Sequence, residues 1–190
     1  EDYKKVTDFF AKEFKISAKK FDKEFARLIP LALSMNMTRM ALGEKVRFYD
    51  IELLTLAKKY KLDAYSLEEI DREAQAIQAF PMKDQETALL HSINNFEQQK
   101  KEYHQLEIAF LKGDLDKVFE YSLHPTENNP VFMDEFYIKR NLEWFPKIEK
   151  MVSTKRSFIT VGVAHLEGEK GLLNLLRQKG YTLTPVAVTH

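Results

Sequence analysis

The chain has 190 residues, of which 44% are hydrophobic, and its 29 Lys and Arg residues balance its 29 Asp and Glu residues. A chain of this length and composition can bury one substantial core, while a net charge of zero without a basic, aromatic-rich stripe predicts no nucleic-acid partner. The sequence contains no Cys, which excludes thiolate ligands and disulfides, and its uncharged runs are far shorter than the ~20 residues of a membrane-spanning helix.

Helical spacing of apolar residues dominates the chain up to the last forty or so positions. The spacing predicts helices over residues 3–14, 18–28, 31–42, 51–60, 70–80, 83–112 and 131–151. Ser17 and Asp50 stand where the N-caps of two of them are expected, and a loop rich in Pro and Asn is predicted at 124–130. The apolar faces of these helices are interpreted as packing surfaces and not as functional sites.

Three short apolar segments, 62–67, 158–163 and 181–188, are predicted to be strands. The second one ends at a Gly-x-x-His turn, Gly162 to His165, and leads into a helix over 169–179 that Gly180 ends. The predicted fold class is therefore α/β, a small mixed sheet with a large, mostly helical complement. We expect one domain over 1–190, with 1–48 and 83–151 mainly helical and with 49–82 and 152–190 carrying the strands and the site.

His165 is the first candidate site residue, because the C-terminal edge of a strand in an α/β sheet opens onto the crevice where ligands bind. A single His at a strand end also occurs as a hydrogen-bonded structural residue, and the sequence leaves both interpretations open. Glu68 occupies the matching place after the segment 62–67, and parallel strands would bring the two ends together. The alternative for Glu68 is a first-turn acid of the following helix, favoured by the helix dipole.

Arg140 is the third candidate, because helical spacing directs its guanidinium among Phe136, Tyr137 and Trp144. A buried cation without a partner costs several kcal/mol, so Arg140 is expected to reach a carboxylate, a ligand or carbonyl groups, or to extend outward along its stem. Asn141, the next residue, is likewise expected to need a hydrogen-bond partner.

Several of these residues together match the sequence pattern of a known family. Arg140-Asn141 with Trp144, the run from Phe158 to Leu166 with its Gly-x-x-His, and the Leu-rich helix before Gly180 resemble the C-terminal signature of the TraB/GumN family. This family includes the pheromone-shutdown proteins and the Tiki proteases. Upstream, the segments from Tyr49 and around Glu68 are similar to its Asp-x-x-Leu and Leu-Glu segments.

The resemblance implies a site built from two Gly-x-x-His turns, a Glu and an Arg, in a family regarded as metal-dependent peptide hydrolases. His165 would be a metal ligand, Glu68 a ligand or general base, and Arg140 the group that stabilises the oxyanion, with Gly162 and Asn141 shaping the site. The implied cofactor is a divalent metal ion, with manganese, cobalt and zinc as candidates. The sequence contains one Gly-x-x-His, which leads us to expect the C-terminal two-thirds of the family domain, inactive and weakly metal-binding in isolation.

Two functions stay open at this point. The first is a metal-dependent, peptidase-like hydrolase, and the second is a non-catalytic protein that sequesters a peptide or small ligand in the same cleft. Hydrolysis would need metal to activate water, whereas sequestration would survive a chelator. The lack of Cys, the start at Glu1 without Met and the resemblance favour an extracytoplasmic protein whose signal was removed.

Overall fold

The computed structural model describes residues 1–43, 47–122 and 129–186. Its helices are α1 (Asp2–Phe14), α2 (Ala18–Glu24), α3 (Pro30–Leu42), α4 (Tyr49–Lys59), α5 (Ile70–Gln78), α6 (Met82–Asn94), α7 (Phe96–Lys112), α8 (Leu115–Ser122), α9 (Pro130–Met133), a π-helical turn (Asp134–Ile138), α10 (Lys139–Thr154), a 3-10 turn (Val163–His165) and α11 (Leu172–Gln178).

Helix boundaries follow capping chemistry at some of the expected positions. The Ser17 hydroxyl accepts a hydrogen bond from the backbone of Lys20, so Ser17 is the predicted N-cap of α2. The prediction for Asp50 is wrong, because α4 begins at Tyr49 and Asp50 lies within its first turn. The predicted helix over 83–112 is two helices, which meet at Asn95.

The predicted α/β class is wrong, because the described residues contain no strand. Residues 62–67 and 158–162 lack regular secondary structure, residue 163 begins the 3-10 turn, and 181–186 are likewise irregular. The last two residues of the third predicted strand and most of the predicted loop at 124–130 lie outside the described residues.

The apolar residues of these segments pack on helices instead of pairing with one another. Leu67, Ile159 and Val161 are partly buried against a cluster formed by α10 and α11, whose buried members include Trp144 and Leu172. The continuous apolar run over 158–163 predicted a strand buried on both faces, but Ile159 and Val161 are only partly buried, and Phe158 is 82% exposed. A strand also needs a neighbouring strand that pairs with its backbone groups. A helix offers apolar contact only, because its own backbone N–H and C=O groups are already paired within the helix.

The chain divides into two compact units, Glu1–Phe48 with Phe80–Glu102 and Tyr49–Ala79 with Tyr103–His190. The first has a core of aromatic and aliphatic side chains from α1, α2, α3 and α6, in which Phe10, Phe21 and Met37 are almost fully buried. The second contains the cluster around Trp144 and every candidate site residue. None of the described helices combines the length and the apolar character that crossing a membrane requires.

Candidate functional site

An ion pair between Arg140 and Glu68 lies at the centre of the second unit. The Arg140 Nη2 atom is 2.6 Å from Glu68 Oε1, and Nε is 3.1 Å from each carboxylate oxygen. The two side chains are 7% and 14% exposed. Arg140 is therefore buried and reaches a carboxylate, which is the first of the alternatives that the sequence left open. Glu68 precedes Glu69, the N-cap of α5, so it is not a first-turn acid of that helix.

Successive turns of α10 hold the segment that carries Glu68. The indole Nε1 of Trp144 donates to Glu68 Oε2 at 3.0 Å, and Nζ of Lys147 donates to the backbone oxygen of Leu67 at 2.7 Å. With Arg140 one turn earlier, three donors on one face of α10 fix two consecutive residues. An irregular segment thus gains a defined position from side chains of a helix.

The guanidinium of Arg140 is also enclosed by aromatic rings. Its central carbon lies 4.7 Å from the ring centre of Phe136 and 4.8 Å from that of Trp144, and Nη1 donates to the backbone oxygen of Phe136 at 3.1 Å. Phe136 belongs to the π-helical turn that precedes α10, where the backbone repeat differs from that of an α-helix. Cation–π contact and hydrogen bonding together hold the charge where water has little access.

Asn141, the neighbour of Arg140, binds the turn that contains His165. Its Nδ2 donates to the backbone oxygens of His165 at 3.1 Å and of Lys170 at 2.9 Å, and its Oδ1 lies 2.8 Å from Nδ1 of His165. Because the two carbonyl groups can only accept, the amide orientation of Asn141 is fixed, and Oδ1 must accept from the imidazole. The proton of neutral His165 therefore sits on Nδ1, and Nε2 is the basic nitrogen.

Nε2 of His165 is the unengaged atom of this network. It has no hydrogen-bond partner among the described residues, and within that part of the chain no fully buried side-chain nitrogen or oxygen lacks a partner. Nε2 therefore keeps contact with solvent although His165 as a whole is only 6% exposed. The ring packs beside Trp144 and Tyr137, with ring centres 4.5 and 5.1 Å away.

The surroundings of His165 favour its neutral form. Burial, and after it the positive charge of Arg140, lower the pKa of the imidazole from 6.5 to about 4, while Glu68 acts in the opposite direction. For Glu68, burial opposes ionisation, but the hydrogen bonds and charge of Arg140, with Trp144 and Arg72, outweigh burial and hold its pKa below the ordinary value. At neutral pH the site therefore contains a neutral imidazole beside a charged pair.

The residues predicted as metal ligands differ in how well they fit that role. His165 fits, since a neutral imidazole whose other nitrogen is hydrogen-bonded is the usual form of a metal-bound His. Glu68 does not fit, because both its oxygens already accept from Arg140 and Trp144. Within 1–43, 47–122 and 129–186 no cluster of three or more His, Asp or Glu could hold a metal ion.

Two glycines shape the turn for different reasons. A Cβ on Gly171 would lie 2.2 Å from the backbone oxygen of Glu167, so only glycine allows this close approach. Gly162 has φ −58° and ψ 139°, which any residue adopts, and a Cβ there would lie 3.7 Å from Cδ2 of His165. Because Cδ2 adjoins Nε2, the missing side chain leaves room beside the free nitrogen.

Sequence reasoning brought together Glu68, Arg140, Asn141, Gly162 and His165, and all five lie in the second unit. It missed the role of Trp144 as a donor, although an indole N–H on an apolar face needs a partner when it is buried. It also missed Arg72, whose partner Glu143 is 71 positions away in the sequence, so that no local signal joins them.

Comparisons with known proteins give one result. The model of the TraB/PrgY/gumN family matches residues 1–185. No curated protein and no solved structure matches significantly.

Proposed function

This chain belongs to the TraB/PrgY/gumN family, and from that premise we propose that it carries part of a metal-dependent hydrolytic site for peptides in which Nε2 of His165 meets the ligand. The observation that carries the proposal is the fixed tautomer of His165: Asn141 binds Nδ1, and Nε2 is basic, solvent-accessible and uncharged at neutral pH. A buried imidazole arranged in this way is suited to donate a lone pair.

In this proposal His165 is the only described residue that would bind the metal ion. A divalent first-row ion usually takes three or four protein ligands, and the described residues offer one that fits. When bound, such an ion supplies activated water at neutral pH. The donor set of the described residues is thus incomplete, and the roles below are those of the chain's own side chains.

Arg140 would stabilise negative charge on the peptide carbonyl oxygen. A guanidinium has five N–H donors, of which Arg140 directs three to Glu68 and Phe136, so two remain. Low exposure and the flanking rings strengthen its field, because little water screens it. Glu68 would hold Arg140 in position and would not itself bind metal.

The second candidate function is sequestration of a peptide or small ligand without hydrolysis. The saturation of Glu68 favours it, since a carboxylate that accepts from both Arg140 and Trp144 is not available as a general base. The two unused N–H groups of Arg140 could then hold a carboxylate of the ligand. Binding of this kind needs no water activation.

The deciding experiment measures peptide hydrolysis by the natural full-length protein with added manganese, cobalt or zinc, and again with excess chelator. We expect hydrolysis that the chelator stops and that His165→Ala abolishes. His104→Ala is the matched control, because His104 is an exposed helical residue. Equal rates in the native and His165→Ala proteins would rule out the hydrolase, and peptide binding without turnover both with added metal and in chelator would establish sequestration.

A further inference from the structure

Arg72 makes a second ion pair next to the one between Glu68 and Arg140. Its Nε lies 2.7 Å from Oε2 of Glu143, and its Nη2 lies 3.1 Å from Oε1. Two parallel N–H···O bonds form the fork geometry that makes Arg–carboxylate pairs directional. The Arg72 side chain is 18% exposed, so it is held over most of its length.

The same guanidinium also reaches the π-helical turn. Nη2 of Arg72 lies 3.5 Å from the backbone oxygen of Glu135 and 3.8 Å from its carboxylate. Arg72 therefore contacts both sides of the junction between the π-helical turn and α10. Arg140 lies at that junction, as the second residue of α10.

The two pairs together alternate in sign. Glu68 and Arg72 stand on one side, and Arg140 and Glu143 face them from α10. Sliding the segment by one helical turn in one direction would bring Arg72 toward Arg140, and sliding it in the other direction would bring Glu68 toward Glu143, so either shift brings like charges together. Repulsion in the shifted register adds to attraction in the observed one, which is how charges specify a register.

We propose that Arg72 is a positioning residue, which through Glu143 and Glu135 sets the register of the Glu68 segment on α10 and so places Glu68 under Arg140 and Trp144. In this role Arg72 touches no ligand. The value of the register for hydrolysis rests on the proposed function, but the register itself is a property of the fold and is measured without any activity.

The single tryptophan makes the register directly observable. Trp144 is the only tryptophan, so a ¹⁵N–¹H spectrum contains one indole N–H signal, and that group donates to Glu68. We expect Arg72→Gln and Glu143→Gln each to move this signal toward its position in Glu68→Ala. Arg72→Lys, which keeps the charge and loses the fork, should move it less. Arg177→Gln, on α11, is the control and should leave it in place.

The double variant Arg72→Gln/Glu143→Gln distinguishes positioning from general stability. If the two residues act through one contact, the double variant moves the signal no further than Arg72→Gln alone. An indole signal at its native position in folded Arg72→Gln would overturn the proposal, even if that variant melted earlier, and so would additive shifts. Neither outcome bears on whether the protein hydrolyses peptides, which the chelator experiment decides separately.

Discussion

The Oδ1 atom of Asn141 lies 2.8 Å from Nδ1 of His165, while the Nδ2 atom of the same amide bonds the backbone oxygens of His165 and Lys170. One side chain thus fixes the tautomer of the imidazole and both ends of the turn that follows it. Because Asn141 is 2% exposed, water cannot replace these bonds. The chemistry of His165 and the local fold therefore depend on the same residue.

Asn141→Ala should destabilise the protein markedly. It removes one acceptor and two donors from partners that are buried or, at Lys170, partly buried, and each buried polar group left unsatisfied costs about 1–3 kcal/mol, so we expect a loss of roughly 3 kcal/mol. Urea unfolding followed by Trp144 fluorescence measures it. Asn174→Ala is the matched control, since Asn174 makes one exposed bond, to Glu169. Equal stability of the two variants would contradict the role assigned to Asn141.

Acid should destabilise the fold through His165. Burial and then Arg140 lower its pKa from 6.5 to about 4, so between these values the unfolded chain binds a proton that the folded protein does not. The state that binds more protons gains as the pH falls, so the free energy of unfolding decreases across this window, by on the order of 3 kcal/mol in total. Unfolding free energies at pH 7 and pH 5 should differ less in His165→Gln than in the native protein.

His104→Gln, at an exposed position, should retain the native difference between the two pH values. The window above pH 5 is chosen because Glu68, whose pKa is lowered, loses its contribution only as the pH falls below its ordinary value of 4.5. If the free energy of unfolding of His165→Gln changed with pH as much as that of the native protein, folding would not lower the pKa of His165.

Local pattern was sufficient to predict most of the helices and to place Arg140 among aromatic side chains. Helical periodicity is a property of consecutive residues, and Arg140 lies among aromatic residues three and four positions away. Its partner Glu68 was predictable only as a carboxylate near the site, because no local signal joins residues 72 positions apart.

The absence of a sheet from the described residues was not predictable from the same kind of signal. A short apolar run such as 158–163 favours an extended, buried segment, but it does not indicate whether strands or helices cover that segment. Here α10 and α11 cover it. The bonds of Asn141 to two backbone oxygens could not be predicted either. Every residue has a backbone carbonyl group, so the sequence does not indicate which of them accept.

Glu68→Gln should cost stability through the cation that it leaves behind. Arg140 would keep its charge at 7% side-chain exposure with an uncharged partner, and breaking a buried pair from one side costs about 3–5 kcal/mol, reduced here because Glu68 is 14% exposed. We expect about 2 kcal/mol, measured by urea unfolding. Glu68→Gln/Arg140→Met removes both charges and should regain part of the loss, so a double variant less stable than Glu68→Gln would contradict the pairing.

The two glycines of the His165 turn should differ strongly in how much stability the same added methyl group costs. Gly171→Ala places Cβ 2.2 Å from a backbone oxygen that cannot retreat without moving the turn, so we expect a loss of about 3 kcal/mol or more. Gly162→Ala has an ordinary backbone conformation and a 3.7 Å contact, and its stability should stay within about 1 kcal/mol of native. Urea unfolding compares them, and Gly171→Ala as stable as Gly162→Ala would show that the turn does not pack as described. Since the methyl group of Gly162→Ala would contact Cδ2, the ring carbon bonded to Nε2, this folded variant should bind or hydrolyse peptide less well than the native protein.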